Sequence, residues 1–202
     1  MDQSPDTQCE RLRVIACGAI AREVLAICEA NQLNHIDLVC LPAIWHVYPQ
    51  KIGPGMRDAI AKAREEGFER IFIGYAECGT QGELDKICAE EGIHRLEGPH
   101  CYSFFTGNAT FLAGTETEIS AFYLTDFLAR QFEAFVIEPL KLNEHPELRD
   151  MIFGNYTKIV YLAQTHDETL QEKAKWAADY LKLDYEYRYT GYGDLTPELA
   201  RA

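Results

Sequence analysis

Ile71-Phe72-Ile73-Gly74-Tyr75-Ala76-Glu77-Cys78-Gly79-Thr80 decides how this chain folds. An apolar β-type run closes on a glycine, passes through a short polar turn, and opens into Gly82–Glu91. In that second stretch Leu84, Ile87 and Cys88 fall on one helical face, and Gly92 supplies a stop. Strand, tight turn and amphipathic helix in this order is half of a βαβ unit. The same order stands at Leu12–Cys17 with Ala19–Ala30, and at Lys158–Leu162 with Glu168–Leu181.

Working outward, His35–Leu41 reads as a second strand, ended by Pro42, and Met56–Glu66 as a helix ended by Gly67. Trp45-His46-Val47-Tyr48-Pro49 reads as a loop, because prolines bracket it and disfavour helix before each of them. Past residue 94 the rhythm changes. Gly98-Pro99-His100-Cys101 is turn-like, Thr117–Phe135 carries apolar residues at helical spacing, and Glu147–Phe153 reads as a short helix. Tyr185–Tyr189 reads as a last strand and Gly191–Leu195 as loop. Alternating β and α elements predict a mainly parallel sheet covered by helices. The expectation is a single α/β domain over residues 1–202, Rossmann-like in its layering, with a helical insertion at about 104–153.

Of the 202 residues 47% are hydrophobic and 25% charged, ample for a core. The net charge of −13 argues against nucleic acid and against anionic membrane surfaces, both of which are bound through Lys and Arg. The polar, acidic start Met1-Asp2-Gln3-Ser4-Pro5-Asp6-Thr7 has neither the basic nor the apolar part of a secretory signal, and no apolar run is long enough to span a bilayer. Seven cysteines, several within strand or helix patterns, suit a reducing cytoplasm rather than a disulfide framework.

Three cysteines stand at turns: Cys17 before Gly18, Cys78 before Gly79, and Cys101 after His100. In open α/β sheets ligands bind beyond the carboxyl ends of the strands. One such cysteine reads equally as a small buried apolar residue beside a turn. Recurrence at three turns points instead to a shared thiolate or metal site, with His46 and His100 as nitrogen donors. Zinc accepts mixed Cys/His donors and is the first choice of metal; an iron–sulfur cluster is the second. The chain has no CxxC pair. The rival chemistry is a metal-free transferase or hydrolase with Cys78 as nucleophile at a helix N-terminus and His46 or Glu77 as acid–base group. Gly79 and Thr80 would then hold an anion or cofactor at the following helix. Cys9, Cys28, Cys40 and Cys88 read as structural, and Asp126 as a buried, hydrogen-bonded carboxylate.

Across nearly its whole length the chain resembles the DUF1638 family. The resemblance is carried by Ile15-Ala16-Cys17-Gly18-Ala19, Leu41-Pro42-Ala43 with His46 and Pro49, Tyr75-Ala76-Glu77-Cys78-Gly79-Thr80, Gly98-Pro99-His100-Cys101-Tyr102, Leu124–Arg130, Phe153-Gly154-Asn155-Tyr156 and Thr190-Gly191-Tyr192-Gly193. The family name records no activity. Members are often encoded near corrinoid-dependent methyl-transfer proteins, which implies a role in one-carbon or methyl-group metabolism. A small-molecule substrate or a corrinoid protein is the implied partner. The chain lacks the Asp-x-His-x-x-Gly sequence of a corrinoid carrier. The expectation is a cytoplasmic metal-binding protein with Cys17, Cys78, Cys101 and His46 as ligands, acting as an enzyme or accessory factor in methyl transfer. A non-enzymatic module that binds a corrinoid protein is the remaining alternative.

Overall fold

The computed structural model describes residues 11–114 and 118–202. Cys9 and the N-terminal segment of the sequence reading lie outside the described residues. The chain is a mixed α/β protein with two parallel sheets, in Rossmann-like layers. It divides into two compact units, residues 1–97 with 198–202, and residues 98–197. The segment 104–153, read as an insertion into one domain, belongs to the second unit.

The first unit runs β1 (Leu12–Cys17), α1 (Ala21–Ala30), β2 (Ile36–Leu41), α2 (Ile52–Glu65), β3 (Arg70–Gly74), α3 (Glu83–Glu91) and β4 (His94–Arg95). All six residues of β1 are buried, which is why its sequence is a continuous apolar run rather than an alternating one. β1 pairs in parallel with β2 from Leu12↔Ile36 to Cys17↔Leu41, and with β3 from Leu12↔Arg70 to Ala16↔Gly74. The strand order is β2-β1-β3-β4, so successive connections leave β1 in opposite directions. That makes the carboxyl ends of β1 and β3 the topological switch point of this sheet. Ile52, Met56, Ile60 and Ala63 line one side of α2 at helical spacing and are buried.

The second unit contains α4 (Ser103–Thr106), α5 (Asn108–Gly114), β5 (Ala121–Leu124), α6 (Asp126–Arg130), a π-helical turn (Glu133–Ile137), α7 (Glu147–Phe153), β6 (Lys158–Ala163), α8 (Glu168–Leu181) and β7 (Asp184–Tyr189). α9 (Leu195–Arg201) closes the chain, its last residues counted with the first unit. The strands run in parallel in the order β5-β6-β7. Of the stretch 117–135 that carried helical spacing, residue 117 lies outside the described residues and residues 121–124 are strand β5, paired from Ala121↔Lys158 to Leu124↔Tyr161. Their period is two. Phe122 meets Phe153 and Tyr156 in the main core, while Tyr123 stacks on Tyr102 at 5.3 Å. Helical spacing resumes only at α6, which Thr125 caps by accepting Leu128 N–H at 3.4 Å.

Glu118 ties two strands of this unit together. It accepts from both terminal nitrogens of Arg188, one of them at 3.0 Å, and from the Tyr123 hydroxyl at 2.6 Å. The Arg188 hydrogen bonds lead in holding its carboxyl down at about 2, against an ordinary 4.5. A carboxyl depressed in the fold contributes stability above its unfolded value and loses it as the pH falls towards the folded one. Between pH 4.5 and about 2 the parent is therefore expected to lose more unfolding free energy than Glu118→Gln. Urea titrations across that range check it, and parallel losses in the two proteins would refute it.

Candidate functional site

The two Cys-Gly turns of the first unit sit where its sheet topology reverses. Cys17 is the last residue of β1. It is 6% exposed, and its Sγ accepts the Ala19 N–H at 3.5 Å across the short 3₁₀ turn Gly18–Ile20. Cys78 follows β3 and is also 6% exposed. Its φ is +48°, in the left-handed region that costs an ordinary residue roughly 1–2 kcal/mol. Gly79, Gln81 and Gly82 also have positive φ, at +78°, +55° and +82°, so the chain coils tightly between β3 and α3.

Glu77 holds this coil. Its Oε2 accepts Gly79 N–H at 2.7 Å, and its Oε1 accepts Gly82 N–H at 3.2 Å and the Thr80 hydroxyl at 3.1 Å. The Thr80 hydroxyl lies equally within reach of the Glu77 carbonyl, at 2.8 Å, and Thr80 N–H donates to that carbonyl at 3.1 Å. Burial opposes the Glu77 charge, but the hydrogen bonds from Gly79, Gly82, Thr80 and Gln81 outweigh it, and the carboxyl lies below its usual range. The donors assigned from sequence to an outside anion, Gly79 and Thr80, are thus engaged by the chain's own carboxylate.

His46 comes from the 3₁₀ turn Ala43–Val47 after β2. His46 is exposed, and the Cys78 thiol beside it leads in raising its pKa; desolvation works against the rise, and the nearby charges of Cys78 and Cys17 add to it. Trp45, one residue earlier, packs its indole against α2 at Gly55. A Cβ on Gly55 would come within 2.2 Å of the indole Cζ3. Gly55→Ala is expected to displace the indole and with it His46, at a cost of about 1–3 kcal/mol typical of overpacking. A lower melting temperature with altered tryptophan emission checks this; an unchanged spectrum and melt would contradict it.

The first unit thus places Cys17, His46 and Cys78 at or just beyond the ends of three adjacent parallel strands. Among the described residues no group of three His, Cys, Asp or Glu side chains is gathered so that it could hold a metal ion. Cys40, read from sequence as a structural strand residue, is exposed near the end of β2; desolvation first and Cys17 second push its thiol up to about 11. Burial pushes up the Cys28 and Cys88 thiols.

Cys101 and His100 belong to the second unit, in the turn before α4. There the His100 ring stacks on Tyr102 at 4.9 Å, and Tyr102 and Tyr123 both meet the edge of Phe111. Asp126 is 1% exposed and fully engaged, accepting from Tyr161 hydroxyl at 2.7 Å, Gln164 N–H at 3.0 Å and Thr165 hydroxyl at 2.6 Å. The sequence reading of a buried, hydrogen-bonded carboxylate describes it.

The family model "Protein of unknown function (DUF1638)" matches residues 40–199. The chain belongs to the DUF1638 family. The matched range takes in Cys40, His46, Glu77, Cys78, His100 and Cys101, and begins after β1 with Cys17. No curated protein and no solved structure matches this DUF1638 chain. No helix among the described residues is long and apolar enough to cross a membrane.

Proposed function

We propose that this DUF1638 protein is a thiolate metal protein of the cytoplasm whose centre is Cys17, His46 and Cys78. The observation that carries the proposal is the placement of Cys17 at the end of β1, Cys78 in the turn after the adjacent β3 and His46 in the turn after the adjacent β2, at the switch point of the first sheet. Two thiolates and one imidazole fit zinc, which in catalytic sites takes three protein ligands and keeps a fourth position open. An iron–sulfur cluster draws on four cysteines and suits this donor set less well. Bound there, zinc would supply Lewis acidity and a thiolate-rich environment in which a substrate thiol is a good nucleophile. The protein's own part is to deliver two sulfurs from separate strand ends and to orient one imidazole against them. Such a centre suits methyl transfer to sulfur, and so a role in methyl-group metabolism as an enzyme or accessory factor. The partner is a small-molecule substrate or a corrinoid protein, and the acidic chain is not a nucleic-acid binder.

A second reading has its own support. Cys78 stands on a strained strand-to-helix turn with a histidine beside it, the layout of a nucleophile with its base. His46→Ala separates the two. On the metal reading the variant binds zinc more weakly, and any zinc-dependent stability falls with it. On the nucleophile reading the parent carries no metal, and the variant loses only the rate at which iodoacetamide alkylates Cys78. Equal zinc affinity in a metal-containing parent and the variant would remove His46 from the centre.

A further inference from the structure

The Glu77 carboxylate, next to Cys78 in the chain, is engaged by its own turn. Both Glu77 oxygens point back into residues 77–82: Oε2 to Gly79 N–H, Oε1 to Gly82 N–H and the Thr80 hydroxyl. Four residues of that segment have positive φ, and two of them, Cys78 at +48° and Gln81 at +55°, are not glycine. A run of such residues aims successive N–H groups at one point and makes a concave anion nest. In P-loops the nest takes a phosphate. Here it takes the side chain of the residue that opens the turn. Thr80, 8% exposed, closes the nest from beneath by bonding to the Glu77 carbonyl as well.

We propose that Glu77 is the positioning residue of the thiolate centre: as a built-in anion in the nest, it keeps Cys78 in the left-handed conformation that presents Sγ to His46. Without that carboxylate the Gly79 and Gly82 donors lose their common acceptor. Nothing then offsets the preference of a non-glycine residue for negative φ. Cys78 relaxes, and its sulfur turns away from the ring. The nest belongs to the architecture of the thiol site, and its ligand is permanent. This rests on the reading of Cys78 as a member of the centre, but not on the metal itself.

The test uses the full chain with Glu77→Ala and Glu77→Gln, the latter keeping the shape and one acceptor oxygen. Two readouts are taken. One is cobalt(II) titration, followed by its thiolate-to-cobalt charge-transfer band. The other is the rate of iodoacetamide alkylation of Cys78 in metal-free protein, mapped by mass spectrometry, with buried Cys88 as internal reference. Glu77→Ala is expected to weaken cobalt binding by about 10–100-fold, the range for residues that orient a metal ligand. It should also lower the band per bound cobalt and change the Cys78 rate with Cys88 unchanged, Glu77→Gln falling between it and the parent. A folded Glu77→Ala with parental cobalt affinity, spectrum and Cys78 rate overturns the proposal. If Cys88 also becomes reactive in the alanine variant, the fold has opened and Glu77→Gln decides: a parental Cys78 rate there overturns the proposal, an altered one supports it. A parent that binds no cobalt overturns the metal reading alone, and Glu77 is then judged on the alkylation rates.

Discussion

Cys78→Ser should lower the zinc affinity of the protein by at least about 100-fold, because loss of a ligand exceeds the 10–100-fold cost of disturbing the groups that orient one. Cys17→Ser should do the same from the end of a different strand. The fold should survive both. Cys17 is the last rung of the β1–β2 ladder and Cys78 stands in the turn after β3, and serine fills nearly the same space. Chelator competition followed by a chromophoric zinc indicator measures the loss, and far-ultraviolet circular dichroism checks the fold. If one variant keeps parental affinity while the other loses it, the retained position leaves the centre.

The second large effect concerns the second unit. Asp126→Ala is expected to destabilise the protein by about 3–5 kcal/mol, because three donors lose their acceptor at once and each unmet buried donor costs about 1–3 kcal/mol. The hydroxyls of Tyr161 and Thr165 and the Gln164 N–H all donate to this carboxylate, which is 1% exposed. Desolvation comes first in raising the Tyr161 pKa, and the hydrogen bond to Asp126 adds to it. Truncation leaves those donors buried and unmet, whereas Asp126→Asn keeps one acceptor and should cost about 1–2 kcal/mol, within the usual penalty for an unmet buried polar group. Urea unfolding measures both, and equal costs would show that the charge is not what the network needs. Zinc content should not change in either variant, which separates a scaffold role from a ligand role.

The strands that build the centre were legible because each is an apolar run with a turn residue at its end. β1 and β3 read correctly to within a residue, and Cys17 and Cys78 followed from them. β5 was not legible. Leu124 lies three and four residues before Phe127 and Leu128 of the next helix, a helical spacing, and a period of two over four residues is too short to compete. The first turn of α2 was hidden by Gly53-Pro54-Gly55, which reads as a breaker. Pro54 is tolerated there because it falls in the first turn, where the N–H has no intrahelical partner. Gly53 and Gly55 are present for close approach, to the Glu83 carboxylate and to the Trp45 ring. The approach of His46 to Cys78 could not be read from spacing, because the two are 32 residues apart, in turns after different strands. The position of Glu77 beside Cys78 was visible in the sequence; its task was not, since the positive φ values that create the nest have no signature at Cys78 or Gln81.

The central claim is that Cys17, His46 and Cys78 hold a metal. The most direct measurement is elemental analysis of the full chain purified without oxygen, with the Cys17→Ser and Cys78→Ser variants prepared alongside. The account predicts about one zinc per chain in the parent, the stoichiometry of a three-ligand catalytic-type site, and little in either variant. A metal-free parent, or variants that retain the parent's zinc, would contradict it.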